Sequence, residues 1–394
     1  MPEAPEPVDA PAPVVGPTPS RPAVDRRPDL NVAALWVASR VSVFIAATYS
    51  TWILAGDPQT MFRSPADEIP ALGPIATWNR WDLEWYASIA TDGYGAAGHE
   101  SNYASPPGFP GLLWALGKLN IHVTLAGLLI SFVAGLLAAM ALSRLTRSLG
   151  GRGELGVLAW VLAPVAVFLA APYAEALFCA FAFCAWVLAR RQAWLSASLL
   201  TAAACLVRVN GLFLACALVV LFLTGRPRAW RQAPLLLLPF ATVLGLLVYF
   251  WTRTGSWLTW FEAQGTGWDR RLLNPWDTLT STVNYAYNIG LAATYNVQYR
   301  FELAFMLVLV VLTVVMLVKR WWGEATYMLL TIVALGTSTL YYSVPRASLT
   351  LFPVWMLIGL WMSRSRTVLA SYVAVSTPLM LMGVMAFVNG RWVA

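Results

Sequence analysis

The sequence predicts an all-α polytopic membrane protein, a bundle of about eleven transmembrane helices with interfacial helices in two long outer loops. Three observations carry this. Hydrophobic residues make up 59% of the chain and charged residues 11%, and mean hydropathy is +0.63, outside the range of soluble globular domains. About eleven apolar stretches reach or approach the roughly 20 residues that a spanning helix needs. Arginine and lysine recur at alternate ends of those stretches, the pattern that orients helices in a membrane.

Residues 1–30, rich in Pro, Ala and Val, read as a disordered cytoplasmic tail ahead of one transmembrane domain, 31–394. The first apolar run is full-length and lacks a small-residue cleavage site, so it is expected to remain as a span rather than leave as a signal peptide. The predicted spans are 32–55, 121–142, 154–171, 173–189, 193–207, 210–224, 233–252, 302–318, 325–341, 347–362 and 367–388. The stretches 154–171 and 173–189 are barely long enough to cross, and Pro172 between them leaves open one broken or re-entrant element.

With the amino terminus cytoplasmic, fifteen of the 26 Lys and Arg fall on the inner side, at every short turn from Arg144, Arg147 and Arg152 to Arg364 and Arg366. Twelve of the 19 acidic residues fall outside, most of them in the loops 56–120 and 253–301. Those loops are rich in Trp and Tyr, which settle at headgroup level and predict interfacial helices. The net charge of +7 therefore sets orientation and implies no nucleic-acid partner. Cys179, Cys184, Cys205 and Cys216 all lie in apolar stretches without metal-type spacing, and read as packing residues. His99 sits in a polar loop and His122 opens a span; both read as ordinary polar positions.

The most informative segment is 78–94, WNRWDLEWYASIATDGY. An amphipathic helix over 81–91 puts Asp82, Trp85, Tyr86 and Ile89 on one side and ends at Gly93. Glu84 lies about 200° from Asp82 around that helix, so the two carboxylates do not converge. Alone, Asp82 reads equally well as a cap or as a salt-bridge partner of Arg80.

The residues Arg80-Trp81-Asp82, Trp85-Tyr86, Ile89-Ala90 and Gly93-Tyr94 resemble the first-loop motif of the PIG-V family, mannosyltransferases that add the second mannose in GPI-anchor synthesis, with bacterial relatives, in the GT-C superfamily. Further matches follow in order: Pro107-Gly108-Phe109-Pro110; Pro172-Tyr173-Ala174-Glu175-Ala176-Leu177-Phe178; Arg208-Val209-Asn210-Gly211; Trp257, Phe261, Ala263-Gln264 and Trp268; and Arg346 with Leu349, Phe352 and Pro353. Ser105-Pro106 and Ala174 depart from the family pattern. All six matched segments fall on the face that charge alone assigns as outer, as one shared site requires.

The resemblance implies a GT-C-type bundle and transfer of mannose, with inversion, from a polyprenyl-phosphate-mannose donor to a lipid-linked or cell-envelope glycan acceptor. Such a reaction needs a carboxylate to take the acceptor proton and donors to hold the departing phosphate. Asp82 is the candidate general base. Arg80, Arg208 and Arg346 are the candidate phosphate clamps, and Trp81, Glu84, Tyr86, Tyr173, Glu175, Asn210, Gln264 and Trp268 the remaining candidate substrate contacts. No cofactor is expected, and no metal, because a helix splays Asp82 from Glu84 and a lipid monophosphate has no diphosphate to bridge. The expected location is a bacterial plasma membrane, with the site on the non-cytoplasmic face. Two other readings stay open: a GT-C transferase using an arabinofuranosyl or glucosyl lipid phosphate, and a transporter or flippase of a lipid-linked sugar. Transport favours charges near mid-membrane, and Arg40 is the one clear charge inside a predicted span.

Overall fold

The computed structural model describes residues 27–53, 70–96, 100–225, 228–288, 290, 293–391 and 393. His99 and most of the expected tail lie outside them. Every regular element among the described residues is helical. The longer helices are α1 (Arg27–Ile53), α2 (Asp82–Thr91), α3 (Gly108–Gly117), α4 (Val123–Arg147), α5 (Gly153–Val161), α6 (Ala174–Arg190), α7 (Trp194–Cys205), α8 (Asn210–Thr224), α9 (Leu238–Thr254), α10 (Thr259–Trp268), α11 (Pro275–Tyr287), α12 (Ala293–Val318), α13 (Trp322–Gly336), α14 (Val344–Ser348), α15 (Phe352–Arg364) and α16 (Arg366–Val388).

The chain is an all-α polytopic membrane protein. Among the described residues, five segments are long and apolar enough to cross a bilayer: Asp29–Ile53, Val123–Arg147, Trp230–Thr254, Tyr295–Val318 and Arg366–Val388. The other predicted spans have shorter helical counterparts, of which α6 and α15 are largely buried in the protein. α4 packs on α6, and both helices bury small side chains such as Ala134, Ala138, Ala176 and Ala180, a residue type that lets backbones approach in a membrane.

The structure redraws four spans. The stretch 154–171 is broken: α5 ends at Val161, and after Pro164 only a short 3-10 turn, Ala166–Leu169, continues it. Proline removes a donor and clashes with the preceding turn, so the break is local chemistry. Buried Arg40 of α1 supports it by donating Nη1 to the Ala166 carbonyl at 3.5 Å while lying over the Trp36 ring at 4.5 Å. The mid-span charge that bears on the transport reading thus has a structural task, satisfying backbone freed by a broken helix. α12 starts at Ala293, nine residues before the predicted 302, which places Glu302 inside a helix. α13 stops at Gly336 instead of 341. The span 347–362 divides into α14 and α15, because Pro353 opens a new helix and Leu351 leaves the helical conformation.

Side-chain contacts separate two ends of the bundle. At one, Asp29 pairs with Arg144 at 3.2 Å and Arg147 at 3.0 Å, Arg190 donates to Ser148, and the Arg152 amide donates to Ser363. At the other, Asn389 donates to Ser50 at 2.7 Å, Arg80 reaches the Val388 carbonyl, and the sequence motifs gather. The connections 70–122 and 255–292 carry α2 and α3, and α10 and α11, at this second end.

Candidate active site

α2 begins with two carboxylates, Asp82 and Glu84, in its first turn, where the helix dipole favours negative charge, and ends at Gly93 with φ 84°. Its start is strained. Trp81 has φ 39° and ψ −106°, a conformation that costs a bulky L-residue on the order of 1–3 kcal/mol and persists only where neighbours impose it. The neighbours are on both sides. The Trp81 ring meets Phe387 edge-on at 5.1 Å, Arg80 donates Nη2 to the Val388 carbonyl at 2.9 Å and Nε to the Thr77 carbonyl at 3.2 Å, and the Tyr173 hydroxyl donates to the Arg80 carbonyl at 2.9 Å. The strain buys a fixed direction for Asp82.

Asp82 points at a chain of ion pairs that joins four elements. Arg346 donates Nη2 to Asp82 Oδ2 at 2.5 Å and Nε to Glu175 Oε1 at 2.5 Å, and Arg208 donates Nη1 to the same Oε1 at 2.5 Å. The guanidinium of Arg346 lies 4.6 Å from the Phe168 ring centroid and 4.9 Å from that of Tyr173. Exposure falls inward, from 23% for the Arg208 side chain and 19% for Asp82 to 9% for Arg346 and 0% for Glu175. A fully buried carboxylate requires charged partners, and Glu175 has two. Its Oε2 and the Nε of Arg208 are buried without a hydrogen-bond partner among the described residues. Asp82 Oδ1 likewise makes no hydrogen bond among them, so the carboxylate that opens to the surface retains acceptor capacity.

Each arginine is held by a local device. Arg208 occupies the turn between α7 and α8, and Gly211 makes that turn possible: a Cβ there would meet the backbone of Cys205 and stand 2.7 Å from the Ala204 carbonyl carbon. Gly211→Ala is expected to cost about 1–3 kcal/mol from overpacking and to displace Arg208. A lowered apparent melting temperature in detergent checks this, and a variant as stable and active as wild type would show that the turn yields freely. Arg346 sits in α14, whose amino end is capped by buried Glu302: the amides of Ser343 and Val344 donate to its two oxygens at 3.0 and 2.7 Å.

Of the sequence candidates, Asp82, Glu175, Arg208 and Arg346 form the chain, and Tyr173 and Tyr86 pack beside it, their rings 6.3 Å apart and Tyr86 also against Phe109 at 5.1 Å. Burial, then the nearby Asp82 charge, raises the Tyr86 phenol above its ordinary range, so it is a neutral donor. Arg80 departs from expectation: the bonds of its Nε and Nη2 go to main-chain carbonyls, which makes it a strut for Asp82. Glu84 is exposed and outside the chain of ion pairs, as its angular separation from Asp82 requires. Asn210 is buried at the start of α8 and makes no hydrogen bond to the cluster. Gln264 donates to the Ala104 carbonyl at 3.5 Å, and Trp268 rests on Trp85 of α2 at 5.6 Å, so α10 reaches the site through α2. Among the described residues no three His, Cys, Asp or Glu side chains gather as a metal group would require.

Two residues escaped the sequence reading. Glu302, at the start of the predicted span 302–318, was given no role; its position next to a long apolar run was the available signal, since ionisable groups there have tasks. Arg270, just after α10, feels the charges of Arg346, Arg208, Asp82 and Glu302, and nothing in the sequence marks it.

Comparison with known proteins meets this site. The model of the family described as mannosyltransferase (PIG-V) matches residues 71–226. GPI alpha-1,6-mannosyltransferase 2 of Mus musculus is 36% identical over 155 residues, covering 36% of this chain and 30% of the mouse protein. The protein of the same name from Cricetulus griseus is 35% identical over 158 residues, covering 36% of this chain and 30% of its own length. The matched stretch thus spans less than a third of these relatives. No solved structure matches the chain. Residues 71–226 of the chain are thus similar to the mannosyltransferase (PIG-V) family, and the matched stretch carries Arg80, Asp82, Tyr173, Glu175 and Arg208.

Proposed function

We propose that the protein is a membrane mannosyltransferase that moves mannose from a polyprenyl-phosphate-mannose donor to a lipid-linked or cell-envelope glycan acceptor, with Asp82 as general base. The observation that carries this reading is the surface-opening carboxylate of Asp82 held by Arg346, in turn anchored on buried Glu175 and on Arg208. The acceptor hydroxyl gives its proton to Asp82 as its oxygen bonds to the anomeric carbon from the side opposite the phosphate. The carbon–oxygen bond to the phosphate breaks, and polyprenyl phosphate leaves with the electron pair. Arg346 keeps the Asp82 carboxylate aimed at the acceptor side.

The reading needs no metal, since arginines compensate both carboxylates of the cluster. The Arg-rich end of the bundle supports a cytoplasmic face there, and with it a site on the non-cytoplasmic side of a plasma membrane. The test is transfer of radiolabel from polyprenyl-phosphate mannose to endogenous lipid or glycan in membranes with and without the protein, beside GDP-mannose and the arabinofuranosyl and glucosyl lipid phosphates. Label moved from the mannosyl lipid alone is the expected result. Label moved only from another lipid-linked sugar would replace the donor, and label moved from none of them would sink the reading.

A further inference from the structure

The sequence offers three arginines for the phosphate of such a donor, and each of them already spends at least one donor elsewhere in the structure. Arg208 and Arg346 serve Glu175 and Asp82, and Arg80 donates to carbonyls. A fourth guanidinium stands beside them without an acceptor: the Arg270 side chain makes no hydrogen bond among the described residues, and its buried Nε has no partner. Glu302 lies within electrostatic reach, but its two oxygens accept from the Ser343 and Val344 amides. The nearest aromatic face, Tyr342, is 5.8 Å from the guanidinium carbon.

Its backbone is not that of a loose surface residue. The Arg270 amide donates to the Gln264 carbonyl at 3.2 Å. On either side, the Thr339 hydroxyl donates to the Asp269 carbonyl at 2.6 Å and accepts from the Arg271 amide at 3.0 Å. Asp269 takes φ 50° to make the turn. A partly buried cation is thus braced beside two others, and its burial and the like charges of Arg346 and Arg208 pull it below its ordinary value. Such a position is unfavourable until an anion with several acceptor oxygens arrives.

We infer that Arg270 binds the phosphate of the lipid-linked sugar donor, presenting its guanidinium fork from the second outer connection while Asp82 faces the acceptor from the first. This rests on the proposed transferase reading. An inverting displacement requires the base and the leaving phosphate on opposite sides of the anomeric carbon, and Asp82 and Arg270 come from separate connections. The planar fork matches phosphate oxygens in pairs, which an ammonium does not.

The experiment compares wild type, Arg270→Gln and Arg270→Lys, purified in detergent, for binding of polyprenyl phosphate and of the uncharged polyprenol, and for mannosyl transfer. The expected result is that Arg270→Gln weakens polyprenyl phosphate binding at least tenfold, leaves polyprenol binding unchanged and raises the donor KM more than it lowers kcat, with Arg270→Lys between. Inorganic phosphate at millimolar concentration is expected to compete poorly, because it lacks the chain; competition equal to that of the lipid would overturn the donor assignment in favour of a free-anion site. A Gln variant that melts like wild type and binds polyprenyl phosphate equally well overturns the inference, as does one whose Lys counterpart loses stability as well as binding. Failure of the broader reading looks different: wild type then transfers no mannose while phosphate-dependent lipid binding still follows Arg270.

Discussion

Asp82→Asn is expected to lower mannosyl transfer by about 10²- to 10⁴-fold, the contribution of a well-placed general base. Asn is nearly isosteric and still accepts a hydrogen bond from Arg346, so the geometry of the 2.5 Å contact survives while the proton acceptor does not. The loss should fall on kcat with little change in donor KM, because Asp82 acts on the acceptor oxygen in the transition state. Arg346 retains Glu175 as counter-charge, so the apparent melting temperature should drop only slightly. That separates loss of the base from loss of fold. Transfer at the wild-type rate by the Asn variant would remove Asp82 from the proton step and leave it a structural partner of Arg346.

Much of the architecture was legible because a bilayer permits few solutions. Apolar runs and alternating arginines sufficed to find the five full-length crossing helices among the described residues, and the helix read over 81–91 is α2 at Asp82–Thr91, ended by Gly93 as expected. Charge also put Asp82, Glu175, Arg208 and Arg346 at one end, where the structure joins them. What periodicity does not record is who takes whose hydrogen bonds. Arg80 beside Asp82 in sequence reads as its partner, yet the strained Trp81 turns the chain so that Arg346, 264 positions away, is the partner and Arg80 serves carbonyls. Arg270 was invisible for a related reason: its place depends on Thr339 clipping two connections together, a contact without a sequence period. The broken helix at Pro164 and the divided span before Pro353 were missed because apolar runs were read for length while protein contacts satisfied their interrupted backbones.

Removal of the buried acid should have the largest effect on stability. Glu175→Gln leaves Arg346 and Arg208 sharing a neutral amide oxygen where both met a carboxylate, with 0% of the original side chain exposed to water. Breaking a buried ion pair by taking away one partner costs about 3–5 kcal/mol, and here the anion served two cations. Part of Arg208 reaches solvent, which lowers its share, whereas Arg346 is 9% exposed, lies against the Phe168 and Tyr173 rings and cannot rehydrate without moving. A reoriented Arg346 would carry Asp82 with it, so transfer should fall together with the melting temperature, unlike the Asp82→Asn case. The double variant Glu175→Gln, Arg208→Gln removes one of the stranded charges and should regain part of the stability without regaining activity, because Arg346 still lacks its anchor. Melting curves in one detergent, read as apparent values because membrane proteins often unfold irreversibly, decide the matter. A Gln variant within a degree of wild type would mean that Glu175 is already neutral in the folded protein, and the chain of ion pairs would then be a chain of ordinary hydrogen bonds that anchors Arg346 only weakly.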